Sequence, residues 1–278
     1  MAETPFARIA GAIEARHPLL YIVGSEEQRV ESTLQDVSRT HYGDQRPIVQ
    51  WTVTRGLYSG GKAVNKLTQP LQALEYIMES GDDAIHLMKD LPSLFQNDPA
   101  LIRKLRDVYY TVSSRNATVV LSSPIVSLPE ELKREVILIE MDLASEREIY
   151  RYLERLSGAM DADSEVPERW LQACSNAMRG LSLNEVRHLF NALVHNKSFE
   201  TESAIKQIHK VKEQALLKES CLKMIPNNLS LVHIGGLDNV KHWVTTRRAL
   251  FSAEARQSGI PLPSGVLFMG ISGCGKSL

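Results

Sequence analysis

A chain of 278 residues, 43% of them hydrophobic, suffices for one or two globular domains. A net charge of −1 and a pI near 6.7 argue against the basic footprint of a nucleic-acid or anionic-membrane binder, and no window approaches the apolar length of a membrane span. The three cysteines, Cys174, Cys221 and Cys274, are far apart without paired spacing, which argues against a disulfide framework or a zinc site and suits a reducing compartment such as the cytoplasm.

In chain order, the first element is an amphipathic helix beginning at Thr4-Pro5. The run Leu19-Leu-Tyr-Ile-Val23 predicts a buried strand, and a helix follows from Ser25 to about Ser38, with Ser25 and Gln28 spaced as a capping box. A second strand covers 48–53. Gly56-Leu-Tyr-Ser-Gly-Gly-Lys62 ends in a glycine and a lysine but is one residue short of a phosphate-binding loop, and it reads as a mobile loop. A helix over 70–80 puts Leu71, Leu74, Ile77 and Met78 on one face. A third strand, 84–88, ends in Lys89-Asp90-Leu91. A fourth helix opens at Asp98-Pro99, and strands at 117–121 and 136–139 complete the set. Strands alternating with helices at these lengths predict a mostly parallel, doubly covered five-stranded α/β sheet.

After residue 142 the periodicity is helical throughout. Ser145 with Glu148, and Ser182 with Glu185, are capping boxes; Pro167 opens a further helix, and a longer polar helix spans about 202–222. The lysines of that last helix alternate with Glu202, Glu213 and Glu219 and describe a solvated face. Pro226-Asn-Asn228 reads as a linker.

Gly265-Val-Leu-Phe-Met269 is a predicted strand that runs into Gly270-Ile-Ser-Gly-Cys-Gly-Lys-Ser277, a Walker A loop. In such a loop the backbone of Gly270, Ile271, Ser272, Gly273, Cys274 and Gly275 turns N–H groups towards phosphate oxygens. Lys276 reaches the outer phosphates, and the Ser277 hydroxyl ligates magnesium. The implied ligands are ATP and Mg2+. No carboxylate or arginine follows to act on water, so no catalytic residue is assigned and this chain alone is expected not to hydrolyse ATP.

An α/β core, a helical bundle and then a P-loop segment resemble AAA+ modules in tandem. Ile234-Gly-Gly-Leu-Asp238 is similar to the AAA+ entry motif, which implies that Ile234 and Gly235 flank the adenine. That motif, the loop at 270–277, the spacing of Trp243, Arg247 and Phe251, and His17-Pro-Leu-Leu-Tyr-Ile-Val23 together resemble the hypothetical chloroplast reading-frame (Ycf-type) AAA+ proteins. The resemblance implies three parts: a degenerate AAA+-like platform over 1–142, a helical lid and linker helix over 143–225, and the start of an ATPase domain over 226–278. It also implies a truncated member ending just after Walker A, a cytoplasmic or plastid-stromal location, a homo-oligomeric ring in the complete protein, and remodelling of a protein partner. The alternative is a non-hydrolysing protein-interaction module.

The first module lacks a P-loop: Glu26 and Glu27 stand where phosphates would arrive and would repel them. Asp90 resembles a Walker B residue, but Leu91 replaces the glutamate, and a relic or loop cap is the simpler role. Arg134, just before the last strand, reads as a surface arginine, with an arginine finger as the other reading.

Overall fold

The computed structural model describes residues 4–43, 45–160, 166–195, 199–218 and 235–248, with residues 250, 267 and 269. The chain divides into two compact units, Met1–Lys212 and Glu213–Leu278.

Five apolar runs set the frame of the first unit: β1 (Leu19–Val23), β2 (Ile48–Thr52), β5 (Ile85–Lys89), β6 (Thr118–Ser123) and β7 (Val136–Glu140). Near-continuous apolar strands suit a parallel sheet covered on both faces, and these five pair in parallel in the order β2-β5-β6-β1-β7. The register places Leu20 between Val120 and Ile137. On one face α1 (Pro5–Glu14) and α2 (Glu27–Tyr42) bring Ile9, Ile13, Val30 and Leu34 onto Leu20, Ile22, Leu87 and Val120. On the other, α3 (Pro70–Ser80) and α4 (Pro99–Val112) bring Leu74, Ile77, Leu105 and Val108 onto Leu19, Tyr21, Met88 and Leu121.

The sheet is wider than the sequence predicts. The stretch read as a mobile loop is instead a hairpin, β3 (Gly56–Ser59) and β4 (Lys62–Asn65), added antiparallel to β2, so the sheet has seven strands. Its two-residue turn is Gly60-Gly61, with φ of 54° and 80°; two positive φ values are what a type I′ turn requires. Trp51 packs beneath and donates its indole N–H to the Leu67 carbonyl at 2.8 Å, which ties down the return of the hairpin.

Four helices follow the sheet: α5 (Glu146–Gly158), α6 (Glu168–Ala177), α7 (Leu183–His195) and α8 (Thr201–Lys218). Leu153, Trp170, Phe190 and Ile208 form their shared core, with the Trp170 ring edge-on to Phe199 at 5.4 Å. Both capping boxes expected from sequence are present, at Ser145/Glu148 and Ser182/Glu185. In the second unit, α9 (Asp238–Arg248) is solvent-exposed, with the Arg247 guanidinium 4.2 Å over the Trp243 ring. The predicted strand over 265–269 and the linker at 226–228 fall on residues outside those described, apart from residues 267 and 269.

Candidate functional site

In an open α/β sheet a ligand crevice forms beyond the carboxyl ends of the strands, where the strand order reverses. Here β1 lies between β6 and β7, and the turn from β1 into α2 is the corresponding position. Gly24 extends the ladder rather than opening it. Its N–H donates to Ser123 O at 3.1 Å, and the Met141 N–H donates to Val23 O at 2.8 Å. A Cβ on Gly24 would sit 2.9 Å from Met141 Cβ, so close strand approach accounts for the glycine.

The Ser25/Gln28 capping box expected from sequence is not formed. Glu26 is the N-cap of α2, with no side-chain cap bond, and the helix begins at Glu27. Glu26 is only 8% exposed, and its carboxylate is committed elsewhere. It accepts from the backbone N–H of Leu183, the first residue of α7, and pairs with Arg29 at 3.3 Å. Arg29 continues the chain of contacts to the Asp142 carbonyl and, at 3.0 Å, to Glu148. Burial pushes the Glu148 carboxyl up, but the Ser145 N–H and hydroxyl and the Arg29 charge outweigh it and hold the group below its usual range. A helix N-terminus attracts an anion. At α7 that anion is a side chain of the same protein, and it joins the sheet to the helical bundle.

The polar groups at the neighbouring strand ends are paired as well. The Tyr21 hydroxyl meets Ser123 Oγ at 2.5 Å and the Ile125 carbonyl at 2.7 Å, and it accepts from the Ser127 N–H at 3.1 Å. Lys89, at the end of β5 and 5% exposed, is held by Glu31 at 2.6 Å, Glu27 at 2.9 Å and Tyr58 Oη at 3.0 Å. Burial alone would lower its pKa; the bonds to Glu31, Tyr58 and Glu27 outweigh that and raise it above the usual lysine value. P-loop enzymes take their lysine from the loop and their carboxylate from the strand. This sheet has the reverse: carboxylates on the helix after the loop and a lysine on the strand. The residues at this position therefore do not fit a nucleotide triphosphate. Asp90 is exposed in a left-handed conformation (φ 56°) and precedes a 3₁₀ segment, Leu91–Asn97, without a side-chain cap bond; Arg134 is exposed.

Of the nucleotide-site residues expected from sequence, Ile234 and 270–277 lie outside the described residues, and Gly235 is exposed. Sequence reasoning missed Tyr21, Arg29 and Lys89 as structural linchpins. The usable signal was a lysine in the last position of an otherwise apolar strand, since a buried lysine requires carboxylates nearby. Among the described residues no cluster of His, Cys, Asp or Glu could hold a metal ion, and no helix is long and apolar enough to cross a membrane.

The parallel order and the appended helical bundle give an AAA+-like α/β fold. Residues 6–141 match the family described as SpoVK-like AAA ATPase, N-terminal domain. That match covers the α/β part of the chain and ends at β7. The chain is 29% identical over 269 residues to the uncharacterized AAA domain-containing protein ycf46 of Gracilaria tenuistipitata var. liui, covering 96% of this chain and 54% of that protein. The Guillardia theta protein of the same name is 29% identical over 270 residues, covering 96% and 52%. The chain thus spans about half the length of the curated relatives it matches. Among solved structures, the E. coli MS115-1 HORMA:CdnC:Trip13 complex contains a chain with a TM-score of 0.50 and 14% identity, covering 74% of this chain and 78% of that one, a likeness of fold.

Proposed function

We propose that ATP and magnesium bind through the second unit alone, and that the first unit is a fixed platform whose conformation does not depend on nucleotide. The observation that carries this reading is Glu26. Its carboxylate stands at the strand-to-helix turn where phosphates would arrive, and it is bonded to the N-terminus of α7. Nucleotide chemistry then falls to the loop at 270–277. There the amides of residues 270–275 and Lys276 would hold the phosphates, Ser277 would hold magnesium, and Ile234 and Gly235 would flank the adenine. Bound magnesium would supply charge neutralisation between the phosphates. The domain reading stays as 1–142 platform, 143–225 lid and linker helix, and 226–278 the start of the ATPase domain. Coupling of the ATP cycle to remodelling of a protein partner, by a ring of subunits in the complete protein, is proposed by analogy from the match to an AAA ATPase N-terminal domain.

The test is equilibrium binding of a fluorescent ATP analogue to the wild-type chain, Lys276→Ala and Glu26→Gln. Lys276→Ala should weaken binding about a hundredfold, the loss of a charge-assisted phosphate contact. Glu26→Gln should leave affinity within about twofold. Binding that survives Lys276→Ala would overturn the assignment.

A further inference from the structure

The hairpin β3–β4 carries the sheet past the edge of α2 and leaves a groove of about 660 Å³ between them. Its floor is polar. α2 contributes Glu27, Glu31, Gln35 and Ser38, one helical face, and the sheet contributes Gln50, Tyr58 and Lys89. The carboxylates are already used: Glu31 contacts both Lys89 at 2.6 Å and Gln50 at 3.3 Å, and Glu27 contacts Lys89 at 2.9 Å.

Arg46 is different. It lines the groove just before β2, is 8% exposed, and has no carboxylate partner among the described residues. Its Nε is buried with no hydrogen-bond partner among the described residues. Its Nη2 reaches Thr118 Oγ1 only at 3.5 Å, and the guanidinium carbon lies 4.8 Å from the centre of the Tyr42 ring. A largely buried guanidinium without a counter-anion is costly unless an anion reaches it. Beside it, Ser59 Oγ is bonded to the Ile48 carbonyl, and this fixes the Gly60-Gly61 turn at the same end of the groove.

We infer that the groove between α2 and the hairpin is a binding site for the oxyanion, phosphate or carboxylate, of a small polar ligand, with Arg46 as the anion-binding residue. The site shares no residue with the loop at 270–277. A guanidinium presents paired donors to an oxyanion, and Gln50, Thr52 and Tyr58 give the rest of the ligand polar groups to lie against.

The test uses the full chain carrying Lys276→Ala, so that the P-loop contributes no phosphate binding. Inorganic phosphate and citrate are each titrated while the amide NMR signals of Gly60 and Gly61 are followed. Saturable shifts with a Kd of about 1 mM or tighter are expected for at least one probe. The preferred probe tells a phosphorylated ligand from a polycarboxylate. Arg46→Gln should weaken binding about tenfold, and Arg46→Lys by less. Should Arg46→Gln misfold, Gln35→Glu supplies an exposed alternative, since it offers Arg46 an internal carboxylate and should weaken binding about threefold. Shifts that fail to saturate for both probes, or that neither Arg46→Gln nor Gln35→Glu changes, would overturn the assignment.

Discussion

The two ends of the parallel sheet treat their polar groups in opposite ways. At the carboxyl ends of β1 and β6, Glu26, Arg29, Tyr21 and Ser123 are joined to one another, to backbone, or to α7. At the amino ends, His17 Nδ1, Arg46 Nε and both ring nitrogens of His86 are buried without a partner among the described residues. In this fold the carboxyl end is where a ligand normally supplies missing hydrogen bonds. Here the chain supplies them itself, and the unmet demand lies at the amino end and in the groove beside α2. A shared topology therefore does not fix where binding occurs; the distribution of satisfied and unsatisfied polar groups does.

The largest effect should come from breaking the closed end. Glu26→Ala leaves Arg29 and the Leu183 N–H without their shared anion. It should destabilise the first unit by about 3 kcal/mol, the usual cost of removing one partner from a buried pair. Chemical denaturation measures the loss, and hydrogen exchange should localise it to the start of α7. An unchanged midpoint would mean that the latch contributes nothing.

The amino end can be probed by pH. His86, 1% exposed, has its pKa lowered to about 4, chiefly by burial and further by Arg46. A histidine depressed in the folded state contributes stability that is intact above its unfolded pKa near 6.5 and lost as pH falls towards 4. The loss should be about 3 kcal/mol across that window. His86→Leu should flatten that part of the stability profile; a slope that persists would place the acid sensitivity elsewhere.

The smallest change tests the packing of the closed end. Gly24→Ala forces a shift against Met141 Cβ and should cost about 1–2 kcal/mol, read as a drop of a few degrees in Tm.

The parallel core was legible because its strands are apolar on both faces and its helices carry their caps in sequence. α3 falls on the predicted residues, 70–80, and Asp98 caps α4 by accepting from the Leu101 N–H at 3.0 Å. The hairpin was not read, although Gly60-Gly61 between Leu57-Tyr58 and Ala63-Val64 is a two-residue turn signal. The resemblance of its ending to a phosphate loop drew the reading away from it. The Ser25/Gln28 box failed for a different reason. Local spacing cannot show that Glu26 will be claimed by Leu183, 157 positions away in sequence. The Glu26-Glu27 pair that argues against a phosphate at the first turn is legible from charge alone, whereas the groove at Arg46 required knowing that the sheet outgrows its helix.

The position of β1 between β6 and β7 also bears on how the chain reaches this state. β1 is synthesised first, yet both of its neighbours lie roughly a hundred residues downstream, Leu19 pairing with Val119 and Val136. The β2–β3–β4 meander, by contrast, closes within a single short stretch, 48–65. Long-range parallel pairing is slow because the intervening loop must close before any contact rewards it. On the ribosome this buried strand must therefore wait, apolar and unpaired, until β6 and β7 emerge, a waiting time during which chaperones would hold it.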